Sequence, residues 1–197
     1  MMAEISKELL FVVEGKDEVN FFDAFLKHFN ISDFEIRQVE GKDNFKLVLK
    51  TLKSSSGFRK VKKLILIRDG DENSEGAFKS LQNILNELAL PVPEAEGALA
   101  VKNDLICGIY IMPLYPESGM LEDLCLLSIG NTKEMQCIDE FLNCVENKPN
   151  HIAKAKTQIY LSLRSPIVNS LGLAAQKGHW DFDHSCFQKL LEFVKKV

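Results

Sequence analysis

The chain has 197 residues, 46% of them apolar and 26% charged, with a formal net charge of −4. That balance suits a globular chain able to bury a substantial core and excludes a disordered polyelectrolyte. An acidic total also argues against a domain that grips nucleic acid with its whole surface, and no apolar run of about 18 residues is present to span a bilayer.

The first element is a strand, Glu8-Leu9-Leu10-Phe11-Val12-Val13, which stops at Glu14-Gly15. Residues Lys16 to Phe29 follow with Val19, Phe22, Phe25, Leu26 and Phe29 at the spacing of a helix with one apolar stripe. Phe34 to Val39 reads as a second strand ending at Glu40-Gly41, and Phe45 to Leu52 as a helix capped by Asp43 or Asn44. Lys42 in that connection repeats the look of Lys16 after the first strand; an approach to the same crevice is open to it, and a surface loop is the expected setting. The third strand, Val61 to Arg68, runs into Asp69-Gly70-Asp71 and then a helix from Glu75 to Leu88. Pro91 to Gly97 is expected to be irregular before a fourth strand, Ile106 to Met112.

Beyond Pro113 the pattern becomes helical, over Met120 to Ile129, Lys133 to Val145, His151 to Leu163 and Phe187 to Val197. Strand and helix units joined by short connections predict an α/β fold, a Rossmann-like, mostly parallel sheet with helices on both faces and a mainly helical C-terminal part. The expected organisation is an α/β core over 1–128 and a helical extension over 129–197 packed on it as one compact unit. No basic leader precedes an apolar stretch, so a cytoplasmic protein is expected. The five cysteines are odd in number and lack a Cys-x-x-Cys pair, which predicts reduced core thiols.

Ligands of open α/β sheets bind at the carboxyl ends of the strands, so Glu14, Asp69 and Asp71 are placed for metal or phosphate chemistry. Simpler roles stand beside that one. Glu14 also suits a turn, and the two aspartates suit a polar turn that caps the next helix. An EF-hand loop starting at Asp69 is excluded, because Ser74 stands at its glycine position and Ser80 at its bidentate glutamate. From Asn147 to Trp180 no acidic residue occurs, while Lys148, Lys154, Lys156, Arg164 and Lys177 are basic, making this the candidate phosphate-facing surface. Lys154 and Lys156 lie about 200° apart on a helix, so at most one of them can face a given site. His179-Trp180-Asp181-Phe182-Asp183-His184 fits no common zinc spacing and is read as a loop anchored by Trp180 and Phe182.

The strand ending in Val12-Val13-Glu14-Gly15-Lys16-Asp17, the helix after it and the later strand ending in Asp69-Gly70-Asp71 resemble the Toprim domain. Topoisomerases, primases and nucleases related to overcoming-lysogenization-defect proteins share that domain, and the chain resembles most a group of small stand-alone Toprim-like proteins. The resemblance implies Mg2+ or Mn2+ as cofactor. Glu14 would act as general acid/base or join the metal shell, Asp69 and Asp71 would bind the ion, and Glu122 would supply a further acidic ligand. A third acid expected two positions after Asp71 is Asn73 here, one charge fewer. The implied activity is phosphodiester chemistry on nucleic acid, as a nuclease, with Lys16, Lys154, Lys156 and Arg164 as backbone contacts. The alternatives are a non-catalytic module that binds metal, nucleotide or a partner, and a small-molecule phosphoesterase. A homo-oligomer or a partner ATPase is compatible with the resemblance, and no residue requires either.

Overall fold

The computed structural model describes residues 4–113 and 118–197. Its elements run β1 (Leu9–Val13), α1 (Lys16–His28), β2 (Phe34–Gln38), α2 (Phe45–Ser54), β3 (Lys63–Asp69), α3 (Ser74–Glu87), β4 (Leu99–Lys102) and β5 (Leu105–Met112), followed by five helices. These are α4 (Leu121–Ile129), α5 (Lys133–Cys144), α6 (Ile152–Ser162), α7 (Leu171–Gln176) and α8 (Gln188–Lys196). The sheet order is β2-β1-β3-β5-β4, parallel except for the antiparallel β4-β5 pair. This is the mostly parallel α/β architecture with a helical C-terminal part that the strand and helix pattern predicts.

Continuous apolar runs mark β1, β3 and β5 as central strands, because such strands bury both faces. Their alternate side chains divide between two apolar clusters. Leu10, Val12, Leu64, Leu66, Ile109 and Ile111 meet α2 and α3 through Val48, Leu49, Leu52, Phe78, Leu81 and Leu85. Phe11, Val13, Ile65, Ile67, Tyr110 and Met112 face the other way, where Phe21, Phe22, Phe25 and Leu26 of α1 share one core with the C-terminal helices. Trp180 and Phe182 are buried there, and the Trp180 indole N–H donates to the Leu171 carbonyl at 3.0 Å.

Several elements depart from expectation. The short edge strand β4 was not foreseen; it pairs with β5 through a two-residue turn in which Asn103 and Asp104 both have positive φ, the geometry hairpins favour. Helix α7 lies in a stretch whose periodicity is too brief to read. Asn44 does precede α2, but its side chain donates to the Glu40 carbonyl at 2.8 Å and does not cap the helix. Cys107 and Cys125 are buried thiols, whereas Cys137 and Cys144 are exposed, because they fall on the outer side of α5 and at its end.

Helix α7 packs across the first turn of α1, next to the sheet edge that carries the acidic residues. Gly172 N–H donates to the Asp17 carboxylate at 3.2 Å, and a Cβ at Gly172 would collide with the Asp17 carbonyl oxygen. Gly172→Ala should therefore lower unfolding stability by about 1–3 kcal/mol in urea titrations. Unchanged stability would mean that α7 is not seated on α1.

Candidate functional site

β1 and β3 run in parallel register, Leu10 beside Leu64 and Val12 beside Leu66, so their carboxyl ends finish together. Side chains alternate between the faces of a sheet, and that alternation distributes the acids. Asp69 follows Ile65 and Ile67 onto the side of α1 and the C-terminal helices. Arg68 follows Leu64 and Leu66 toward α2 and α3. Glu14, which follows Val12, lies on that second side, and Asp71, past the end of β3 in a left-handed turn, joins it, so the acids form two groupings on either side of one edge, within electrostatic reach of each other.

In the first grouping Glu14 is half-buried, and its Oε2 is enclosed without a hydrogen-bond partner. Burial raises its pKa; repulsion from Glu18 and Asp71 adds to this, and Arg68 and Lys42 oppose it. Asp71 has φ of 47°, and its carboxylate accepts from Lys42 Nζ at 2.8 Å. Gly41 N–H donates to the Glu14 carbonyl at 3.1 Å, so the loop carrying Lys42 is tied to the end of β1. Lys42 thus stands at the strand-end edge beside Glu14 and Asp71, the setting that the sequence ranks second to a surface loop.

The second grouping surrounds Asp69, which is only 9% exposed. Its Oδ1 accepts the Leu121 amide at 3.0 Å, at the N-terminus of α4. Burial pushes its pKa well above the usual carboxylate range, and Glu18, Glu122 and Glu14 push further, against the Leu121 amide. Glu18 and Glu122 are also raised, chiefly by burial, with Lys154 pulling both down. Together Lys16, Glu18, Asp69, Glu122, Lys154 and Ser170 line a crevice of about 500 Å³.

Glu122 and Lys154 thus meet at the crevice although they come from separate helices. Lys156, two positions on, turns to Asp139 on α5 at 2.6 Å, and Arg164 lies over the Tyr160 ring at 4.4 Å. Neither of these two lines the crevice. Asn73 caps α3 by accepting the Gly76 amide at 2.8 Å, so the position of the missing third acid has a structural task. Glu18 was not singled out from sequence. It lies in the first turn of α1, where the helix dipole favours an acid whatever its function, so its residue type alone did not mark it.

The donor chemistry fits a divalent cation in kind. Hard carboxylate oxygens crowd an open edge, Glu14 Oε2 is an orphaned buried acceptor, and four carboxyl groups are held above their ordinary pKa by burial and mutual repulsion. They are not assembled in advance: among the described residues no three His, Cys, Asp or Glu side chains are gathered to hold a metal ion. Binding would have to draw Asp71 away from Lys42.

A model of the family described as Protein of unknown function (DUF3226) matches residues 7–197. No curated protein matches the sequence. Solved structures of similar fold include the C-terminal region of the Burkholderia pseudomallei OLD protein, 14% identical with a TM-score of 0.50 over 98% of each chain. The C-terminal region of the Xanthomonas campestris pv. campestris OLD protein is 17% identical, with a TM-score of 0.50 over 96% of this chain and 95% of that one. A hypothetical protein from Pyrococcus horikoshii OT3 is 18% identical, with a TM-score of 0.52 over 98% and 95%. At these identities the likeness is one of fold.

The raised carboxyls carry a consequence for pH. Glu14, Glu18, Asp69 and Glu122 titrate higher in the folded chain than near 4, as in the unfolded one, so folding takes up protons. Their contribution to stability is fullest below about pH 4 and is lost as pH rises through the raised folded values. Asp69→Asn keeps an acceptor for Leu121 and removes the charge. It should melt above the wild type at about pH 7.5 in EDTA, with the difference shrinking toward about pH 4. A lower melting temperature at the higher pH would contradict the assignment.

Proposed function

The chain belongs to the DUF3226 family, and we propose that it is a Toprim-type, Mg2+- or Mn2+-dependent enzyme acting on phosphodiester bonds of nucleic acid, a nuclease. The observation that carries the reading is the set of four proton-hungry carboxyls at the shared end of β1 and β3, bordered by Lys16 and Lys154. The order of the Glu-Gly and Asp-x-Asp motifs on their strands supports it, and so does the fold shared with the OLD C-terminal regions.

Glu14, Asp69 and Asp71 would hold the ion, with Glu18 and Glu122 completing the acidic surround. When bound, the ion supplies neutralisation of charge on the phosphoryl group and a lowered pKa for coordinated water. The chain's own residues do the rest. Lys154 and Lys16 bind and orient a phosphate at the mouth of the crevice, as point charges on flexible stems. Glu14, held protonated more readily than an ordinary glutamate, gives or takes a proton at its Oε2. Asp69 is fixed by the Leu121 amide, so its orientation is set before any ligand arrives.

A metal- or nucleotide-binding module without catalysis is the second reading, favoured by Lys42 already neutralising Asp71 and by Asn73 serving as a cap. Among the described residues no helix is long and apolar enough to cross a membrane. A cytoplasmic setting, where nucleic acid is at hand, is part of the proposal.

Cleavage decides between the two readings. The wild type should nick plasmid or degrade single strands with Mn2+, and Glu14→Gln or Asp69→Asn should each reduce that rate by roughly 100-fold or more while far-UV circular dichroism stays unchanged. Activity that survives both substitutions would refute the enzyme.

A further inference from the structure

Lys42 stands among four charges at the α2/α3 side of the edge: Glu14 and Asp71 against Arg68 and Lys42 itself. The Lys42–Asp71 pair is only half-covered, with side-chain exposures of 48% and 37%, so it is a weak and readily exchanged contact. Asp71 holds the Lys42 ammonium above its ordinary pKa, first by its hydrogen bond and then by its charge, and Arg68 opposes it. Arg68 Nε is buried without a hydrogen-bond partner, a donor with nothing yet to donate to. The backbone bond from Gly41 to Glu14 anchors the loop, while the four-carbon stem of Lys42 leaves its ammonium free to move.

We propose that Lys42 is a positioning residue that serves two anions in turn: it neutralises Asp71 while no divalent ion is bound, and transfers to a backbone phosphate of the nucleic acid once an ion takes Asp71. This rests on the function proposed above. A divalent cation that takes Asp71 adds positive charge beside Arg68 and releases the Lys42 ammonium from its carboxylate. A phosphodiester close by is the ligand that offsets that charge. Lys42 and Arg68 then supply phosphate contacts on the side of the edge opposite Lys154, which holds the strand from two directions.

The test uses the full chain and Lys42→Gln, with Lys42→Met as a second charge-free variant and Lys42→Arg as the conservative one. Mn2+ affinity is read from thermal shifts across a titration. Removing the competing ammonium should tighten Mn2+ binding about three- to fivefold, and Lys42→Arg should match the wild type. Binding of a single-stranded oligonucleotide in Ca2+ is then measured against salt. The charge-free variants should bind more weakly, with a salt dependence of log K shallower by about 0.7, one phosphate contact fewer. Mn2+ affinity that is unchanged or weaker in Lys42→Gln and Lys42→Met, or an unaltered salt slope, overturns the role of Lys42 and leaves the enzyme reading standing. A wild type with no saturable response to Mn2+ overturns both.

Discussion

Like charge confined at the carboxyl ends of two adjacent parallel strands is the constraint on which the site depends. Glu14 directly follows β1 and Asp69 ends β3, while Glu18 and Glu122 lie in the first turns of α1 and α4. Burial disfavours the charged form of each, and neighbouring acids, Glu18 foremost for the other three, make ionisation harder still. A folded chain that relied on its own contacts would not gather acids in this way. It tolerates them because β1, β3 and β5 are buried on both faces by apolar side chains that hold the strand ends in place.

The two faces of the sheet supply different chemistry to that edge. On one side α1, α4 and α6 bring Glu18, Glu122 and Lys154 around Asp69, and α7 braces the first turn of α1 through Gly172. The C-terminal helices are therefore part of the site as well as of the core. On the other side the β2–α2 loop brings Lys42 to Asp71, with Arg68 and Glu14 beside them. An ion at the junction would be reached by carboxylates from both sides and flanked by a basic residue on each.

Much of this was legible in the residues themselves. The central strands announce themselves as continuous apolar runs, and Glu14, Asp69 and Asp71 stand where such runs stop. What escaped was where the chain turns after the strands: alternation sets Asp69 on the face opposite Glu14, but Asp71 lies past the end of β3 with a left-handed backbone that brings it to Lys42, and Glu18 arrives from α1. Lys42 lies 29 residues from Asp71, and only the tertiary fold joins them. Helical rotation correctly limited the Lys154 and Lys156 pair to one crevice residue, but which one depended on where α6 packs. β4 and α7 were too short to rise above irregular sequence, and the outward turn of Cys137 required knowing which side of α5 is buried.

The central claim, that these carboxylates share a divalent cation, is tested most directly by anomalous diffraction from a crystal soaked in Mn2+. The account predicts a manganese peak among the Glu14, Asp69 and Asp71 carboxylates, with Lys42 moved off Asp71. Diffraction showing no peak there at saturating Mn2+, with Lys42 still on Asp71 and Asp69 still held only by Leu121, would contradict it.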